Sequence, residues 1–527
     1  MAHPAKQERT AKLAPRLQAG NSWSNGAADP ADFRDDAMSD EMISLGAKLK
    51  QHATFQPNAP AVTCGDDSLT YAQLHARTNR VARALESLGV KQGDLVTLGL
   101  PNSVGFVEAC YGIWKLGATP QPISFRLPKV ELEAIMELAK TPVVIADFQH
   151  QVDRPILSVA DLLARSDDES DLPDRVPPIS KAPTSGGSTG RPKLILSGTP
   201  GVTARETPDI GAYRMKPGET VLLPAPLYHN AGFGMMMMAT ALGSHLVLLP
   251  RFDAEKTLAA IEAAKANWVY LVPTMMSRIW RLPSEVRERY DLSSVTTLWH
   301  MAAPCPAWLK EAWIHWIAPG EVMELYAGTE AQAITIITGT EWLEHRGSVG
   351  QVAFGEMKIF GEDGAELPPG QTGEIYMRRP PGSPATYKYL GADARVLPDG
   401  WESLGDIGWF DAEGYLYLAD RRADMILVGG SNVYPAEIEA ALEEHPAVQS
   451  VAVIGLPDED LGNTVHAIIQ IRTPVTADDL KAHLADRLVS YKQPRTYEFV
   501  DEALRDDAGK LRRSALRAER IAAKAPA

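Results

Sequence analysis

The sequence predicts an α/β fold with a large N-terminal domain of several subdomains and a small α+β C-terminal domain. In the N-terminal part, strand-like apolar segments alternate with amphipathic helical segments, a pattern typical of sheets built mostly from parallel strands. A chain of 527 residues is too long for one ordinary core. A charged cluster at Asp420–Asp424 is followed by about a hundred residues, the size of one small domain.

The N-terminal elements follow one another closely. Tyr71–Leu88 carries apolar residues on one helical face, and Leu95–Leu100 is a short apolar segment with strand character. Val130–Leu138 predicts another amphipathic helix, and Pro142–Ala146 predicts the next strand. Asp161–Pro178 is rich in Asp, Ser and Pro, which predicts an exposed connection.

The C-terminal part has a compact pattern of its own. Gly414–Leu418 alternates like a strand just before the charged cluster. Beyond the cluster the sequence predicts a helix from Pro435, strands Val451–Ile454 and Val465–Ile471, and a helix from Ala477. The predicted divisions are an N-terminal extension at 1–37, which we expect to be mobile or loosely packed, an N-terminal domain at 38–420, a hinge at 421–424 and a C-terminal domain at 425–527.

Charge, cysteine content and hydropathy narrow the class of protein. The formal net charge of −15 argues against nucleic acid or an anionic membrane as the partner. Cys64, Cys110 and Cys305 are widely spaced and form neither a metal pattern nor a disulfide framework, which fits a reducing cytoplasm. Met1–Gly20 lacks the apolar core of a signal peptide. The most apolar segment, Gly232–Pro250, is short for a membrane span and is interpreted as buried structure.

The most informative segment is rich in glycine and hydroxyl side chains. It comprises Thr184, Ser185, Gly186, Gly187, Ser188, Thr189 and Gly190, followed by Arg191, Pro192 and Lys193. Glycine lets backbone N–H groups approach a ligand closely, while hydroxyls and lysine add donors and positive charge. Such a nest of donors suits a polyphosphate. Pro192 stands before Lys193 where the nucleotide-kinase loop needs glycine.

This segment resembles the phosphate-binding loop of the adenylate-forming superfamily, which comprises acyl-CoA synthetases, stand-alone adenylation domains and luciferases. The resemblance extends from about Ile43 to about Leu516, with the motifs in the family's order. It implies that ATP and Mg²⁺ convert a carboxylic acid into an acyl-adenylate with release of pyrophosphate, and that the acyl group then passes to coenzyme A. It also implies an adenylating N-terminal domain and a C-terminal lid that rotates between the two half-reactions.

A second motif carries groups for phosphate and metal. Tyr326-Ala327-Gly328-Thr329-Glu330 resembles the family's Tyr-Gly-x-Thr-Glu motif. By that match Thr329 contacts the phosphates and Glu330 holds Mg²⁺, which prefers a few hard oxygen ligands. Ala327 replaces the family's glycine and narrows the space beside the acyl group.

Two further segments complete the expected nucleotide site. Leu404–Gly408 resembles the family's Thr-Gly-Asp motif, so that Asp406 accepts hydrogen bonds from the ribose hydroxyls, with Arg421 beside it at the ribose or phosphates. Small residues stand where the family has a Gly-Gly-Ala-Pro segment lining the adenine, and they are Ala302, Ala303 and Pro304.

The acid is expected to bind next to His229. Pro226-Leu227-Tyr228-His229 resembles the family's aromatic and histidine motif, in which the histidine orients the carboxylate or acts as a gate. Methionines follow, and methionine fills irregular space. Core packing remains an equal alternative for each apolar residue of this segment. The residues predicted to line the acyl pocket are His229, Phe233, Met235, Ala302 and Ala327.

The C-terminal domain carries one motif for each half-reaction. Asp507–Arg513 resembles the family's Gly-Lys signature, in which Lys510 reaches the carboxylate and α-phosphate during adenylation. Gly429–Pro435 resembles the Gly-Gly-Glu-Asn-Ile-Tyr-Pro loop beside the thiol channel, with Ser431 in place of Glu. The residues predicted for the CoA or acceptor channel are Gly429, Gly430, Tyr434 and Lys492. The predicted catalytic residues are Lys510, Thr329, Glu330 and His229.

Several functions stay open at this level. The leading interpretation is an acid–CoA ligase for a bulky apolar or aromatic acid, similar to the bile-acid-CoA-ligase-like group in Cys305–Lys310, Asp420–Asn432 and Pro457–Gly462. An amide synthetase would share the first half-reaction and use an amine as acceptor. An amino-acid adenylation module would need an aspartate near Phe233, which the sequence does not show. A non-catalytic nucleotide-binding regulator conflicts with the presence of both Glu330 and Lys510. A homodimer is also compatible with the sequence.

Overall fold

The structure is a computed structural model that describes residues 42–148, 152–186, 192–207, 210–428, 431–458, 460–506 and 509–524. Its strands, in chain order, are β1 Met42–Ser44, β2 Pro60–Cys64, β3 Asp67–Thr70, β4 Leu95–Gly99, β5 Thr119–Pro122, β6 Val144–Ala146, β7 Ile156–Leu157, β8 Thr184–Gly186, β9 Pro192–Ser197, β10 Val202–Ala204, β11 Thr220–Leu223, β12 His245–Leu248, β13 Trp268–Leu271, β14 Thr297–His300, β15 Val322–Ala327, β16 Ile334–Thr338, β17 Ser348–Phe354, β18 Glu356–Phe360, β19 Gly373–Arg378, β20 Tyr387–Leu390, β21 Arg395–Val396, β22 Glu402–Phe410, β23 Leu416–Arg421, β24 Ile426–Val428, β25 Ser431–Val433, β26 Val448–Asp458, β27 Gly462–Ile471 and β28 Thr496–Val500.

The helices alternate with these strands through much of the N-terminal part. In chain order they are α1 Leu45–Phe55, α2 Tyr71–Ser87, α3 Val104–Lys115, α4 Lys129–Ala139, α5 Val159–Arg165, α6 Asn230–Ala241, α7 Ala254–Ala264, α8 Pro273–Trp280, α9 Ser284–Arg287, α10 Ala307–Trp316, α11 Gly339–Glu344, α12 Pro435–Glu443, α13 Ala477–Ala485 and α14 Arg513–Lys524. No helix within these described stretches combines the length and apolarity that a membrane crossing requires.

A parallel core forms the centre of the large domain. β15, β14, β13, β11, β12 and β2 lie side by side in that order, and every adjacent pair is parallel. The four residues of β13, Trp268–Leu271, are all buried, as expected where helices cover both faces of a parallel sheet. The predicted α/β fold class is therefore confirmed.

An antiparallel extension continues this sheet on the β15 side. β16, β17, β23, β22, β19 and β18 follow in that order, each antiparallel to its neighbour. The pairing of β22 with β23 places Asp406 opposite Arg421. A separate parallel sheet has the order β5-β4-β6-β7, and β8, β9 and β20 form a small antiparallel sheet beside it.

The C-terminal part has a separate hydrophobic core. β26 pairs antiparallel with β27, β27 pairs parallel with β28, and α12 and α13 cover one face. Val451, Ile469 and Leu480 are among its fully buried residues. This mixed packing is the small α+β domain that the sequence predicts.

Most predicted elements occur near their expected positions, and the differences have local causes. The helix predicted over Tyr71–Leu88 begins at Tyr71 because the Thr70 hydroxyl and the Gln73 side chain cap each other's backbone. The prediction that Asp161–Pro178 is only a connection is wrong at its start. Ser158 and Asp161 form a second capping box, and helix α5 continues to Arg165.

The predicted strands occur in the structure, but the residues at which they begin and end differ from the prediction. The strand predicted at Gly414–Leu418 begins at Leu416 and continues to Arg421, because β23 pairs with β22 over its full length. The strand predicted at Val451–Ile454 is part of β26, which is longer at both ends through its pairing with β27. Gly232–Pro250 is buried structure as predicted, since α6 and β12 lie within it. Residues 1–37 lie outside the described residues.

Candidate active site

Strands β8 and β9 pair antiparallel and carry the two ends of the predicted phosphate loop. The ladder pairs Ser185 with Lys193 and Gly186 with Pro192, so residues 187–191 connect the two strands. Gly187, Ser188, Thr189 and Gly190 lie outside the described residues. Thr184 and Lys193, which flank the loop, are both described and half-buried.

Lys193 and Glu330 meet beside two aromatic hydroxyls. Lys193 Nζ lies 3.8 Å from Glu330 Oε1 and 3.8 Å from the centre of the Tyr389 ring. The Tyr389 hydroxyl donates a hydrogen bond of 2.5 Å to the same Oε1 atom. Burial lowers the pKa of Lys193, and Glu330 opposes that shift. Burial and the adjacent Glu330 raise the pKa of Tyr389 well above its usual range.

Sequence reasoning missed Tyr389. The one signal was the spacing of Tyr387 and Tyr389, two residues apart, which places both on the same face of a strand. The Tyr387 hydroxyl donates to Glu402 Oε2 at 2.5 Å, and the two tyrosine rings contact each other at 4.7 Å between centroids. The pair forms an aromatic wall behind Glu330.

Glu330 fits the role predicted for it. The carboxylate is 6% exposed and lies next to Lys193. The described residues contain no cluster of three or more His, Cys, Asp or Glu side chains that would hold a metal alone. Mg²⁺ commonly takes one or two carboxylates, with substrate phosphates and water completing its shell. The donor set is therefore compatible with Mg²⁺ that arrives with ATP, and Glu330 would hold it there.

Gly328 is needed for close packing next to Glu330. A Cβ added at this position would lie 2.2 Å from Leu404 Cδ1 and 2.8 Å from Glu330 Oε2. No side chain fits without moving one of these neighbours. Ala327 and Thr329, on either side, are half-buried. The motif thus brings the end of β15 against β22, the strand that carries Asp406.

Asp406 is held by partners on two strands. Its Oδ2 atom accepts a 2.7 Å hydrogen bond from the Tyr326 hydroxyl, and its Oδ1 atom lies 3.3 Å from Arg421 Nε. The side chain of Asp406 is 14% exposed, whereas that of Arg421 is 70% exposed. A shielded carboxylate beside an accessible guanidinium is suited to grip a polar ligand at the cleft surface.

The predicted adenine segment has an unusual backbone. Ala302 has φ of +76°, in the left-handed region that favours glycine. The residue is exposed, and Ala303 next to it is half-buried. Their small side chains leave the loop surface open. Met301, the residue before it, is 5% exposed and packs in the core.

His229 stands at the start of helix α6 without a polar partner. It is the N-cap residue but makes no side-chain cap, and among the described residues its Nε2 atom has no hydrogen-bond partner. Burial, reinforced by the positive charge of Lys510, lowers the pKa of His229 to about 3. The imidazole is therefore neutral at physiological pH, and its buried Nε2 atom is unpaired among the described residues.

One face of α6 is open and the other is packed. Phe233 is fully buried, and its ring packs edge-on at 6.2 Å from Phe106 and 5.9 Å from Trp114, measured between centroids. Met235 is 4% exposed. The acyl-pocket role of Phe233 and Met235 stays a prediction that this packing disfavours. The residues of α6 that keep accessible surface share the other face, and they are Asn230, Ala231, Gly234, Met237 and Met238.

The lid brings Lys510 toward this cleft. A Cβ built on Gly509, which has φ of +77°, would lie 2.9 Å from Thr274 Oγ1 at the start of α8. Lys510 keeps contact with solvent but is closely surrounded by protein, the combination expected of a residue that lines a cleft. Burial and the nearby Arg421 lower the pKa of Lys510, while Glu330 acts in the opposite direction.

The second predicted lid surface is only partly described. Gly429 and Gly430 lie outside the described residues. Tyr434 is half-buried and precedes α12 as its N-cap residue. Lys492 Nζ donates to both carboxylate oxygens of Glu437, at 2.9 and 2.7 Å. The structure therefore places Tyr434 and Glu437, the partner of Lys492, at the start of the same helix.

Comparison with known proteins agrees with this geometry. A family model described as "AMP-binding enzyme" matches residues 49–385, and one described as "AMP-binding enzyme C-terminal domain" matches residues 437–510. Feruloyl-CoA synthase from Amycolatopsis sp is 32% identical over 486 residues, which span 90% of this chain and 98% of that protein.

Two solved structures share this fold over 90% of the chain. o-Succinylbenzoate CoA synthetase from Bacillus subtilis, in complex with its acyl-adenylate intermediate, superposes with a TM-score of 0.76 at 26% identity, covering 90% of this chain and 98% of that one. An amide bond synthetase from Marinactinospora thermotolerans superposes with a TM-score of 0.75 at 26% identity, covering 90% and 99%. The chain belongs to the AMP-binding enzyme family. Its fold and relatives are those of adenylate-forming ligases, a class that uses ATP and Mg²⁺.

Proposed function

We propose that this protein is an AMP-forming acid–CoA ligase that activates a bulky apolar or aromatic carboxylic acid. The observation that carries the proposal is the packing of Gly509 in the small domain against Thr274 of the large domain, which brings the charge of Lys510 near His229, Glu330 and Arg421. Relatives named for feruloyl and 2-succinylbenzoate, both aromatic acids, support this acid class. The closer likeness to the bile-acid-CoA-ligase-like group stays a prediction.

In the first half-reaction a carboxylate oxygen attacks the α-phosphorus of ATP, and pyrophosphate leaves. The neutral His229 donates one hydrogen bond from Nε2–H to the carboxylate and orients it. Lys510 offsets negative charge on the carboxylate and the α-phosphate. Asp406 holds the ribose, and Thr184 and Lys193 flank the phosphates. Catalysis on this assignment is positioning and electrostatic stabilisation.

In the second half-reaction the acyl group leaves AMP for the thiol of coenzyme A. The sulfur attacks the acyl carbon, the bond to the phosphate oxygen breaks, and the thiol proton is lost. We assign the acceptor channel to the lid surface that carries Gly429, Gly430, Tyr434 and Lys492. A cytoplasmic location and a homodimer remain predictions from the sequence.

One alternative acceptor deserves a direct comparison. The amide bond synthetase has a TM-score within 0.01 of that of the CoA synthetase, so fold does not separate an amine from a thiol acceptor. An amino-acid adenylation enzyme is less well supported, because the open face of α6 carries Asn230 and Gly234 and no carboxylate.

An acid panel tests the proposal. Labelled pyrophosphate should exchange into ATP only when a suitable acid is present, and the products should be AMP and pyrophosphate. Adding CoA should then give a thioester. Formation of ADP and phosphate would contradict adenylation, whereas an amide formed in preference to a thioester would replace only the acceptor.

A further inference from the structure

A lysine to which the proposed ATP chemistry assigns no role lies against the open face of α6. Lys181 Nζ donates a 2.6 Å hydrogen bond to Asn230 Oδ1, and a Cβ built on Gly234 would lie 3.7 Å from Nζ. Asn230 directly follows His229, and Gly234 is about one turn further along the helix. The ammonium therefore lies against the first turn of α6, which begins directly after His229.

The Lys181 side chain is half-buried, and its ammonium is shielded from bulk water. Protein surrounds its ammonium on every side, yet the residue keeps part of its surface accessible to water. Both observations hold when a side chain forms the wall of a pocket. The helix face beneath it has the same character, since Ala231, Gly234 and Met237 keep accessible surface while Phe233 does not.

The positive charge of Lys181 has no counter-charge among the described residues. No carboxylate there lies within ion-pair distance, and the one described hydrogen-bond partner is the neutral amide of Asn230. Burial lowers the pKa of Lys181 to about 8, so that the ammonium is largely charged at neutral pH. A buried charge without a partner is unfavourable. Two of its three N–H donors remain for a ligand.

We propose that Lys181 and Asn230 form a polar subsite at the far end of the acyl pocket, which binds a second oxygen acceptor of the acid. The inference rests on the proposed function, because it concerns the acid that is adenylated. The preferred substrates are aromatic acids with an oxygen substituent across the ring from the reacting carboxylate. A second carboxylate binds most strongly, since it also supplies the missing counter-charge.

A series of matched acids tests the subsite. Benzoic-type acids that differ only in a para methyl, hydroxyl or carboxylate group are compared by kcat/KM for pyrophosphate exchange. The wild-type protein should prefer the oxygenated acids over the methyl acid by about 10–100-fold, the range expected for hydrogen bonds to a buried charge. Lys181→Met should abolish or reverse this preference.

Two further variants separate charge from shape. Lys181→Gln keeps a donor without the charge, and it should retain preference for the hydroxyl acid while losing that for the carboxylate. Lys256→Met, an exposed lysine on α7, is the matched control and should behave as wild type. ATP binding by calorimetry establishes that each variant is folded.

The outcomes are distinct. A wild-type preference for the methyl acid, or an unchanged preference in folded Lys181→Met, would overturn the subsite while leaving adenylation intact. If Lys181→Met does not fold, the acid preferences of the wild-type protein and of Lys181→Gln test the subsite instead. Absence of exchange with every acid would overturn the proposed function and the subsite with it.

Discussion

Asp406 illustrates how a single carboxylate is prepared for a ligand. The Tyr326 hydroxyl and Arg421 Nε engage its two oxygens separately, and pairing of β22 with β23 fixes the distance between Asp406 and Arg421. Each oxygen retains a further lone pair. The ribose hydroxyls can therefore add to this arrangement without displacing either partner.

Replacing Asp406 tests this role. Asp406→Ala should weaken ATP binding by about 1–3 kcal/mol, because the ribose hydroxyls and Arg421 lose their acceptor. Calorimetric titration of ATP measures the change. Asp393→Ala, at an exposed position, is the control and should bind ATP as wild type does. Equal affinities in the two folded variants would exclude a ribose contact at Asp406.

The lowered pKa of His229 predicts how the stability of the folded protein depends on pH. Its folded pKa of about 3 lies below the ordinary value of 6.5, so the unfolded chain binds a proton more readily. The contribution of His229 to the free energy of unfolding is fully present above pH 6.5, and it is lost as pH falls toward 3. Between pH 6.5 and pH 5 the loss should be about 1–2 kcal/mol.

Urea unfolding at the two pH values measures this contribution. His229→Gln should lose less stability than wild type on acidification. His315→Gln serves as the control because His315 lies at the exposed end of α10. An identical pH dependence in His229→Gln and wild type would mean that His229 titrates normally.

The residues found by motif and those that were missed differ in how far apart their partners lie. Glu330 and Asp406 belong to short patterns, which sequence alone can show. Tyr389 contacts Glu330 across 59 positions and Lys181 contacts Asn230 across 49. Such contacts depend on how β20 meets the end of β15, and on how the segment before β8 meets α6. No local pattern contains that information.

At the scale of elements, the backbone conformation of Ala302 lowers the stability of its loop. A left-handed conformation disfavours an L-residue by roughly 1–2 kcal/mol, and Ala302 has φ of +76°. Ala302→Gly should therefore stabilise the protein by up to about 1 kcal/mol, after allowing for the greater entropy of unfolded glycine. Ala303→Gly, which has no positive φ, should destabilise it.

Thermal unfolding of both glycine variants measures the contrast. A rise in Tm for Ala302→Gly together with a fall for Ala303→Gly confirms the strain. A fall in Tm for Ala302→Gly together with a rise for Ala303→Gly would mean that Ala302 is not the strained residue. The adenine segment is the relevant place for such a cost, since a rigid, open loop can meet a flat ring.

Arg513 connects the hinge to the lid. Its guanidinium lies 2.8 Å from Asp424 and 2.7 Å from Glu439, and 3.9 Å from Asp420. Burial raises the pKa of Asp420 to about 6, and Arg513 opposes the shift. The contact with Asp424 ties the end of the hinge to the lid, so rotation is expected at Ala423 or before it.

Removing Arg513 should therefore weaken the lid more than the large domain. Arg513→Met leaves buried Glu439 without this partner and should cost about 3–5 kcal/mol. Arg512→Met removes an exposed pair with Glu131 and should cost little. The rate of limited proteolysis within the C-terminal domain measures this loss of stability, and it should rise in Arg513→Met. If both variants resist proteolysis equally, the contacts of Arg513 with Asp424 and Glu439 do not stabilise the lid.

Element boundaries were less predictable than element order. The sequence places α2, α12 and α13 at their first residues, because Thr70, Pro435 and Thr476 are start signals in the chain itself. The lengths of β23 and β26 depend on partner strands and could not be predicted. Which face of α6 is open could not be predicted either, because apolar residues lie on every side of this helix.

At the scale of the molecule, one lid must serve two reactions. Lys510 faces the cleft in this arrangement, and the predicted acceptor loop at Gly429–Pro435 is a separate motif of the same domain. A lid that presents two surfaces in turn needs different groups for each step. The two steps should therefore be separable by mutation.

Lys510→Ala and Gly430→Trp test that separation. Lys510→Ala removes positive charge from the first transition state, so adenylation should fall by roughly 10²–10³-fold, by analogy with loss of an oxyanion donor. Transfer from a supplied acyl-adenylate should change far less. Gly430→Trp should slow transfer and spare adenylation, because a large side chain would fill the predicted thiol route. Single-turnover assays of each half-reaction distinguish these effects, and Lys481→Ala, an exposed lysine on α13, is the control. If Lys510→Ala and Gly430→Trp slow both steps equally, a single fixed lid position serves both reactions, and the alternation implied by the two motifs does not occur.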